Sequence, residues 1–439
     1  MRIIITRAVS AIALSVYQGM ASASGFALIE HSASGMGNAF AGAAASAEDA
    51  STIWFNPAGM MKLERNQIVV AAHYIHPEAS FSNQGSTNAA GAPLTGGNDD
   101  GGIDAYVPNF YWVSEIHEEM KFGLGINAPF GLVTEYDDTW VGRYHAVKSD
   151  LQTLNINPSL AFQANEKLAL GGGFNILLTD VNLTNAIDFG ALLDQSQALD
   201  GFADLNADNM NGLSDLSYGF NLGLMYDITP STTLGLAYRS ELEIDVEGTA
   251  KFKVPADAAP VLSPGAFVKS DISASVTLPQ TFSLSVSHEL DRLTLLADIT
   301  WTGWSSFDEL RIQYANPNQP DSVTTEDWDD TLRYSIGLDW RYSPKITLRA
   351  GVAYDETPVP NAERRTARIP GHDRTWFSLG GSYVIDEAFT VDIGYSHLFI
   401  DDTDINNTFE SSQPALAATL RGTYEASVDI LSAQVRWNY

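Results

Sequence analysis

The chain contains no cysteine. That excludes thiolate metal sites, cysteine nucleophiles and a disulfide scaffold. Basic residues are scarce: 24 Lys and Arg stand against 54 Asp and Glu, for a formal charge of −30 and a pI near 4.4. Nucleic acid binding needs a basic surface, so nucleic acid is not an expected partner. Past the N-terminus, no segment approaches the ~18 consecutive apolar residues of a membrane-spanning helix. The motifs GxSxG and HExxH and the P-loop are missing too. His73 and His76 are three apart, which on a strand points them to opposite faces and makes a poor metal pair. No catalytic activity, cofactor or metal is expected.

The first 23 residues read as a signal peptide. Arg2 and Arg7 form its basic start, Ala8 to Val16 its apolar core and Ala21-Ser22-Ala23 its cleavage site, so the mature chain is expected to start at Ser24. Without Arg2 and Arg7 the charge becomes 22 basic against 54 acidic residues, or −32. An exported chain without disulfides or helical spans is either a soluble protein or an outer-membrane β-barrel.

Alternation with period two separates these options. In "LRYSIGLDW", Leu332, Tyr334, Ile336, Leu338 and Trp340 share one face, and Arg333, Ser335, Gly337 and Asp339 the other. The stretches "LGLAYRSELEIDVEG" and "LSAQVRWNY" behave likewise. These runs reach 10–17 residues, and about 9–11 cross a bilayer with tilt. Short connections (165–167, 229–231, 289–292, 343–345, 385–387) alternate with long ones (near 81–103, 137–150, 184–215, 249–269, 313–327, 357–370 and 402–420). That is the barrel pattern of short periplasmic turns and long outer loops. The count gives fourteen strands over 66–439, an even number, as closure of bacterial single-chain barrels requires. Residues 24–65 do not fit a strand. In 32–50, 14 of 19 residues are Ala, Gly or Ser, which suits tight packing inside a lumen. The expected fold is all-β: a 14-stranded antiparallel outer-membrane β-barrel with an N-terminal hatch inside it. The outer membrane of a Gram-negative bacterium is the expected location, with membrane lipid and lipopolysaccharide as neighbours and a monomer as the working state.

Several ordered stretches resemble the FadL family of outer-membrane transporters for long-chain fatty acids and other hydrophobic compounds. They include "SASGMGNAFAG", "NPA" (56–58), "YIHP" (74–77), "VPN" (107–109), "FGLVTEYDDT" (130–139), "YRSELEID" (238–245), "TGWSSFDEL" (302–310) and "DETPVPNAERRTARIPGHDRTWFSLG" (355–380). The resemblance implies passive uptake. Ligand would enter an apolar groove at the outer loops, reach a pocket in the barrel and leave sideways through a kink in the third strand. It also implies gating by Phe26, the terminal aromatic, and by Asn56, Pro57 and Ala58 of the hatch.

The residues allow separate candidates. The third strand, "KFGLGINAPFGLVTEY", is interrupted by Pro129 and Gly131. Proline donates no ladder bond and glycine often marks a bulge; the residues alone also fit a strand rim, and with the resemblance Asn127, Ala128, Pro129, Phe130 and Gly131 are the expected lateral opening. The segment 184–215 reads as an amphipathic helix carrying Ile187, Phe189, Leu192, Leu193, Leu199, Phe202, Leu205 and Met210. The loop 249–269 offers Val254, Val261, Leu262 and Phe267. A groove lined by Phe189, Leu192, Leu193, Leu199, Phe202, Val261, Leu262 and Phe267 is the expected capture site; the alternative is that they only pack the loops. Arg364, Arg365 and Arg368 form the one dense basic cluster and are candidate head-group contacts. Some relatives place cations in the inner pocket near Asn185 and Thr324 of this chain, which has none there. Uncharged hydrocarbons or aromatics are therefore an alternative cargo to fatty acids, and a general porin a more distant alternative function.

Overall fold

The computed structural model describes residues 25–193, 199–210, 214–260 and 262–439. The expected signal peptide and Val261 lie outside the described residues. Strands in chain order begin with β1 Gln67–Asn83, β2 Ala105–His117, β3 Met120–Asn127, β4 Gly131–Glu135, β5 Lys148–Asn165, β6 Leu168–Asp188 and β7 Asp200–Asp208. Next come β8 Ser217–Thr229, β9 Thr232–Arg239, β10 Leu242–Lys253, β11 Ser270–Leu278, β12 Thr281–Leu290, β13 Leu293–Thr302 and β14 Glu309–Tyr314. The last are β15 Ser322–Thr325, β16 Thr331–Ser343, β17 Ile346–Asp355, β18 Arg374–Val384, β19 Phe389–Ile400, β20 Thr403–Thr408 and β21 Thr419–Asn438.

Fourteen of these strands close a ring of antiparallel pairs. Its order is β1, β2, β3, β5, β6, β8, β9, β12, β13, β16, β17, β18, β19 and β21. β21 returns to β1 in continuous register from Gln67↔Asn438 to Asn83↔Gly422. Closure leaves no sheet edge for lipid to meet. The remaining strands build the outer end: β4, β10, β11 and β14 continue wall strands past interruptions, while β7, β15 and β20 belong to loops.

Alternation sorts the side chains as the sequence predicts. Ile336, Ile393 and Leu431 point outward and are 62%, 59% and 58% exposed on the protein alone. A ring of large apolar groups on that scale is tenable only in contact with lipid. Their neighbours Ser335, Asp392 and Ser432 point inward and are buried.

What buries them is the N-terminal segment. Residues 26–62 form short helices at Ala33–Met36, Ala43–Ser46 and Thr52–Phe55 and a 3-10 turn at Pro57–Lys62, mostly buried. They touch the wall on all sides: Ala33–Met36 meets β18, β19 and β21, Ala43–Ser46 meets β9 and β12, and the 3-10 turn meets β5, β6 and β8. Close approach depends on missing side chains. A Cβ on Gly223 would collide with Asn56 Oδ1, one on Gly171 with the Ala58 backbone, and one on Gly380 with Gly37. Charges complete the fit, with Glu48 pairing to Arg349 and Arg436 and Lys62 to Asp227.

The long segment after β6 departs from its helical reading. Ile187 lies in β6, among the described residues of the segment only Phe189–Leu192 is helical, and Phe202 and Leu205 lie in β7, which forms a hairpin with β6. The physical reason is the alternation of Ala203, Leu205 and Ala207 with Asp204, Asn206 and Asp208, which suits a half-buried strand.

Candidate functional site

The wall is irregular at one place within the third barrel strand. Pairing of β2 with β3 stops at Phe110↔Ile126, whereas β1 holds β2 out to Ile75↔Ala105. Residues 105–109 of β2 are thus paired on one edge only, with Pro108 in their midst. Against β5, Asn127 faces Asn155 and Gly131 faces Gln152, so three residues (128–130) oppose two (153 and 154). This is a bulge, and it bends the strand away from β2.

The N-terminal segment supplies the missing partner from inside. Gly131 N donates to Phe26 O at 2.9 Å and Leu28 N to Pro129 O at 2.8 Å, with Ala27 bridging to Phe130. Thr153 Oγ1 accepts from Phe130 N at 3.1 Å and donates to Phe130 O at 2.5 Å. Asn109 of β2 reaches Glu30 O at 2.8 Å. The five opening candidates Asn127, Ala128, Pro129, Phe130 and Gly131 are buried against this strap.

Phe26 ends in an aromatic cluster. Its ring lies 6.0 Å from Phe130, 4.9 Å from Trp304, 5.5 Å from Phe307 and 5.8 Å from Trp328. On one side is a cavity of about 130 Å³ walled by Leu132, Leu151, Val181, Ile244, Val246 and Val276. On the other is a cavity of about 150 Å³ walled by Trp54, Phe55, Phe40, Pro129 and Phe130, with Arg239 and Arg333 among its polar groups. Outward, a groove of about 130 Å³ shares Leu183, Leu205, Leu310, Ile312, Glu326 and Arg368 with the apolar cavity. Groove, apolar cavity and bulge cavity follow one another, with the Phe26 cluster between the last two.

Asn56 holds the joint between segment and wall. It ends the helix Thr52–Phe55 through its N–H to Thr52 O at 2.7 Å, and its Oδ1 caps the 3-10 turn by accepting from Ala58 N at 3.1 Å. Pro57 occupies the first position of that turn, where no N–H is needed. The Asn56 amide donates to Ala44 O at 2.6 Å and to Leu224 O of β8 at 3.0 Å.

The predicted capture residues are placed differently. Of the eight, Phe267 alone is on the groove wall among the described residues. Phe189 is fully buried against Phe267 at 5.0 Å, and Leu192, Leu193, Leu199 and Leu262 pack with it in the loop core. Phe202 packs with Tyr144, Ala186 and Ala418. The groove wall comes from the strands beneath: Leu183, Leu205, Phe252, Leu310, Ile312 and Tyr314, with Asn185 and Thr324 beside them. Sequence reading missed the contributions of Leu183, Leu310, Ile312 and Tyr314, which are spread over two strands and carry no local motif.

The three arginines do not converge. Arg364 pairs with Asp327 at 2.7 Å and Glu410 at 3.5 Å, while Arg365 donates to Asp404 O at 2.8 Å and Gly371 O at 3.3 Å. Arg368 alone lines groove and apolar cavity, held by Nη1 bonds of 2.9 Å to Lys148 O and to Ser149 Oγ. Burial pulls its guanidinium down to about 10, opposed by Glu326 and Tyr136. Glu326 stands at the same neck. Burial pushes its carboxyl up to about 8, although Trp328 Nε1 donates to it at 3.0 Å and Arg368 favours its charge. Burial thus favours its neutral form. Among the described residues the one grouping with metal-ligand spacing is His372, Asp373 and Asp401, a partly exposed set whose Asp373 already accepts from Tyr354 OH at 2.6 Å and Thr357 N at 2.8 Å.

Comparison with known proteins fits this architecture. The long-chain fatty acid transport protein of Escherichia coli (strain K12) is 30% identical over 440 residues, covering 93% of this chain and 96% of that one. A FadL homologue from Pseudomonas aeruginosa superposes with a TM-score of 0.85 at 25% identity, over 94% of this chain and 99% of the other. The Pseudomonas putida toluene transporter TodX shares the fold, with a TM-score of 0.68 at 20% identity over 94% and 99% of the two chains. The model for outer membrane protein transport proteins (OMPP1/FadL/TodX) matches residues 14–439, and this chain, a fourteen-stranded barrel of the Gram-negative outer membrane, belongs to that family.

Proposed function

We propose that the protein carries long-chain fatty acids or similar hydrophobic molecules passively across the outer membrane and releases them sideways into the bilayer. The observation that carries this reading is the series of three cavities, which ends at the bulge of the third barrel strand, where the edge of β2 lacks its neighbour. Ligand enters the groove beside Phe267 and Ile312. It moves past Glu326 and Arg368 into the apolar cavity, where each buried CH₂ contributes about 0.8 kcal/mol. Displacement of Phe26 then joins that cavity to the one at the bulge. Pro129, with no N–H, and the strap hydrogen bonds keep this opening from exposing unsatisfied backbone while it is shut. Residues 24–65 act as the hatch, with Asn56, Pro57 and Ala58 fixing its position. Arg368 is the head-group contact at the neck; Arg364 and Arg365 are committed to other partners.

A test is uptake of a labelled long-chain fatty acid by cells that have this protein as their sole route for it. Uptake well above that of cells without the protein is expected, with no dependence on an energised inner membrane during passage to the periplasmic side. A second reading, uptake of uncharged hydrocarbons, draws support from the apolar cavity, whose walls are chiefly Leu, Val, Ile and Phe. Competition between a fatty acid and an alkane of equal length separates the two.

A further inference from the structure

Arg239 ends β9 next to the bulge cavity and is only 8% exposed. Its guanidinium carbon lies over Trp54, 3.5 Å from the ring centre. Nη1 donates to Asn175 Oδ1 at 2.7 Å and Nη2 to Trp54 O at 2.7 Å. Among the described residues no carboxylate oxygen lies within 4.0 Å of it. Arg333, on the same cavity, has Asp298 and Asp355 as counter-charges. Arg239 does not. A chain with thirty more acidic than basic charges thus buries a cation without an acidic partner. Burying an unmatched charge is costly, so its retention calls for an anion that is only sometimes present.

We infer that Arg239 is the head-group anchor of the cavity at the bulge and takes the carboxylate of a long-chain acid. The Trp54 ring and the two accepting oxygens fix the orientation of the fork, and two of its five N–H donors are engaged. The rest serve a bidentate partner of carboxylate geometry. The chain of such a ligand lies along Phe40, Phe55, Leu28 and Phe130 of the same cavity. Thr281, Ser283, Thr300 and Thr302 supply further hydroxyls to the head group. The anchor also stands one relay from the bulge: Asn155 Nδ2 donates to Asn175 Oδ1 at 3.2 Å and to Asn127 Oδ1 at 3.0 Å. A carboxylate held by Arg239 therefore has its tail beside Pro129 and Phe130 of the bulge. This assignment rests on the uptake reading and adds to it a preference for acids.

The test compares binding of palmitate and of 1-hexadecanol to the full-length protein in detergent. Wild type is expected to prefer palmitate. Arg239→Gln should weaken palmitate by about 10- to 150-fold, the range of a hydrogen bond to a charged group, and leave hexadecanol unchanged. Arg239→Lys, which keeps the charge, should retain part of the preference. Equal loss of both ligands in Arg239→Gln and Arg239→Lys makes Arg239 a support for Trp54 and overturns the inference, as does unchanged palmitate binding; the uptake reading survives either result. Failure of wild type to bind either probe overturns the uptake reading and this assignment with it.

Discussion

Replacing Phe26 by alanine should lower the chain length that a ligand needs for uptake. Phe26 is buried among four aromatic rings and separates the apolar cavity from the bulge cavity. Removing a buried phenylalanine from such packing costs about 3–5 kcal/mol. The two strap bonds, Gly131 N to Phe26 O and Leu28 N to Pro129 O, add about 0.5–1.5 kcal/mol each. Displacing Phe26 therefore costs about 4–8 kcal/mol in total. At about 0.8 kcal/mol per buried CH₂, a ligand needs about five to ten methylenes to offset this. In Phe26→Ala only the strap bonds remain, equivalent to about one to four methylenes. The assay is uptake of labelled saturated fatty acids, from about six to about eighteen carbons, by cells making equal amounts of folded barrel; the lengths bracket the threshold just given. Wild type should favour the long chains steeply, and Phe26→Ala should carry the short ones at rates near those of the long. Parallel chain-length profiles for the two proteins would refute the assignment of Phe26 as the barrier.

Deleting Ala128 should remove the bulge, because two residues would then face 153 and 154; the prediction is a barrel that resists heat in detergent at least as well as wild type yet has lost uptake, and retained uptake would count against the opening. Leu310→Ser, on the walls of groove and apolar cavity, should cost about 1.5–3 kcal/mol of ligand affinity. Phe189→Ser, in the loop core, should instead leave affinity nearly intact while making the loop easier to cleave with protease. Glu326 predicts a pH effect. Its folded value of about 8 exceeds the ordinary carboxyl range, so its burial weakens the fold progressively as pH rises from the unfolded value to about 8. Ionisation near that pH also sets a negative charge beside Arg368 at the neck. Affinity for a fatty acid should fall above pH 8, affinity for the matching alcohol should not, and Glu326→Gln should abolish the difference; equal pH profiles for acid and alcohol in wild type would contradict this role.

The wall was legible in the sequence because each strand carries its own signal. Leu332, Tyr334, Ile336 and their alternating neighbours need only a pleat and two different solvents to declare their faces. Pro129 and Gly131 likewise marked the place where ladder pairing fails, since both act through their own backbone. The groove was not legible, because its wall is a property of neighbouring strands: Leu183 comes from β6, Leu205 from β7, Phe252 from β10 and Ile312 from β14. Apolar loop residues drew attention instead, and Phe189 is spent on holding its own loop together. In β7, alanines alternating with Asp and Asn gave too weak an apolar stripe to outweigh the scattered Leu and Phe that suggested a helix. Arg364, Arg365 and Arg368 are close in sequence, but a loop turns adjacent side chains to different partners. Arg239 sat inside a recognised motif, and nothing local signals that it lacks an acidic partner.

The lateral exit is the central claim, and the absence of native cysteine gives a clean background for testing it. A single cysteine at Pro108, on the edge of β2 that lacks a neighbour, is labelled with a bulky membrane-permeant maleimide, and uptake of a labelled long-chain fatty acid is measured. The control carries its cysteine at Leu284 of β12, another lipid-facing position. Loss of uptake on labelling at Pro108 but not at Leu284 is the predicted result; unchanged uptake after full labelling at Pro108 would contradict exit through the wall at this point.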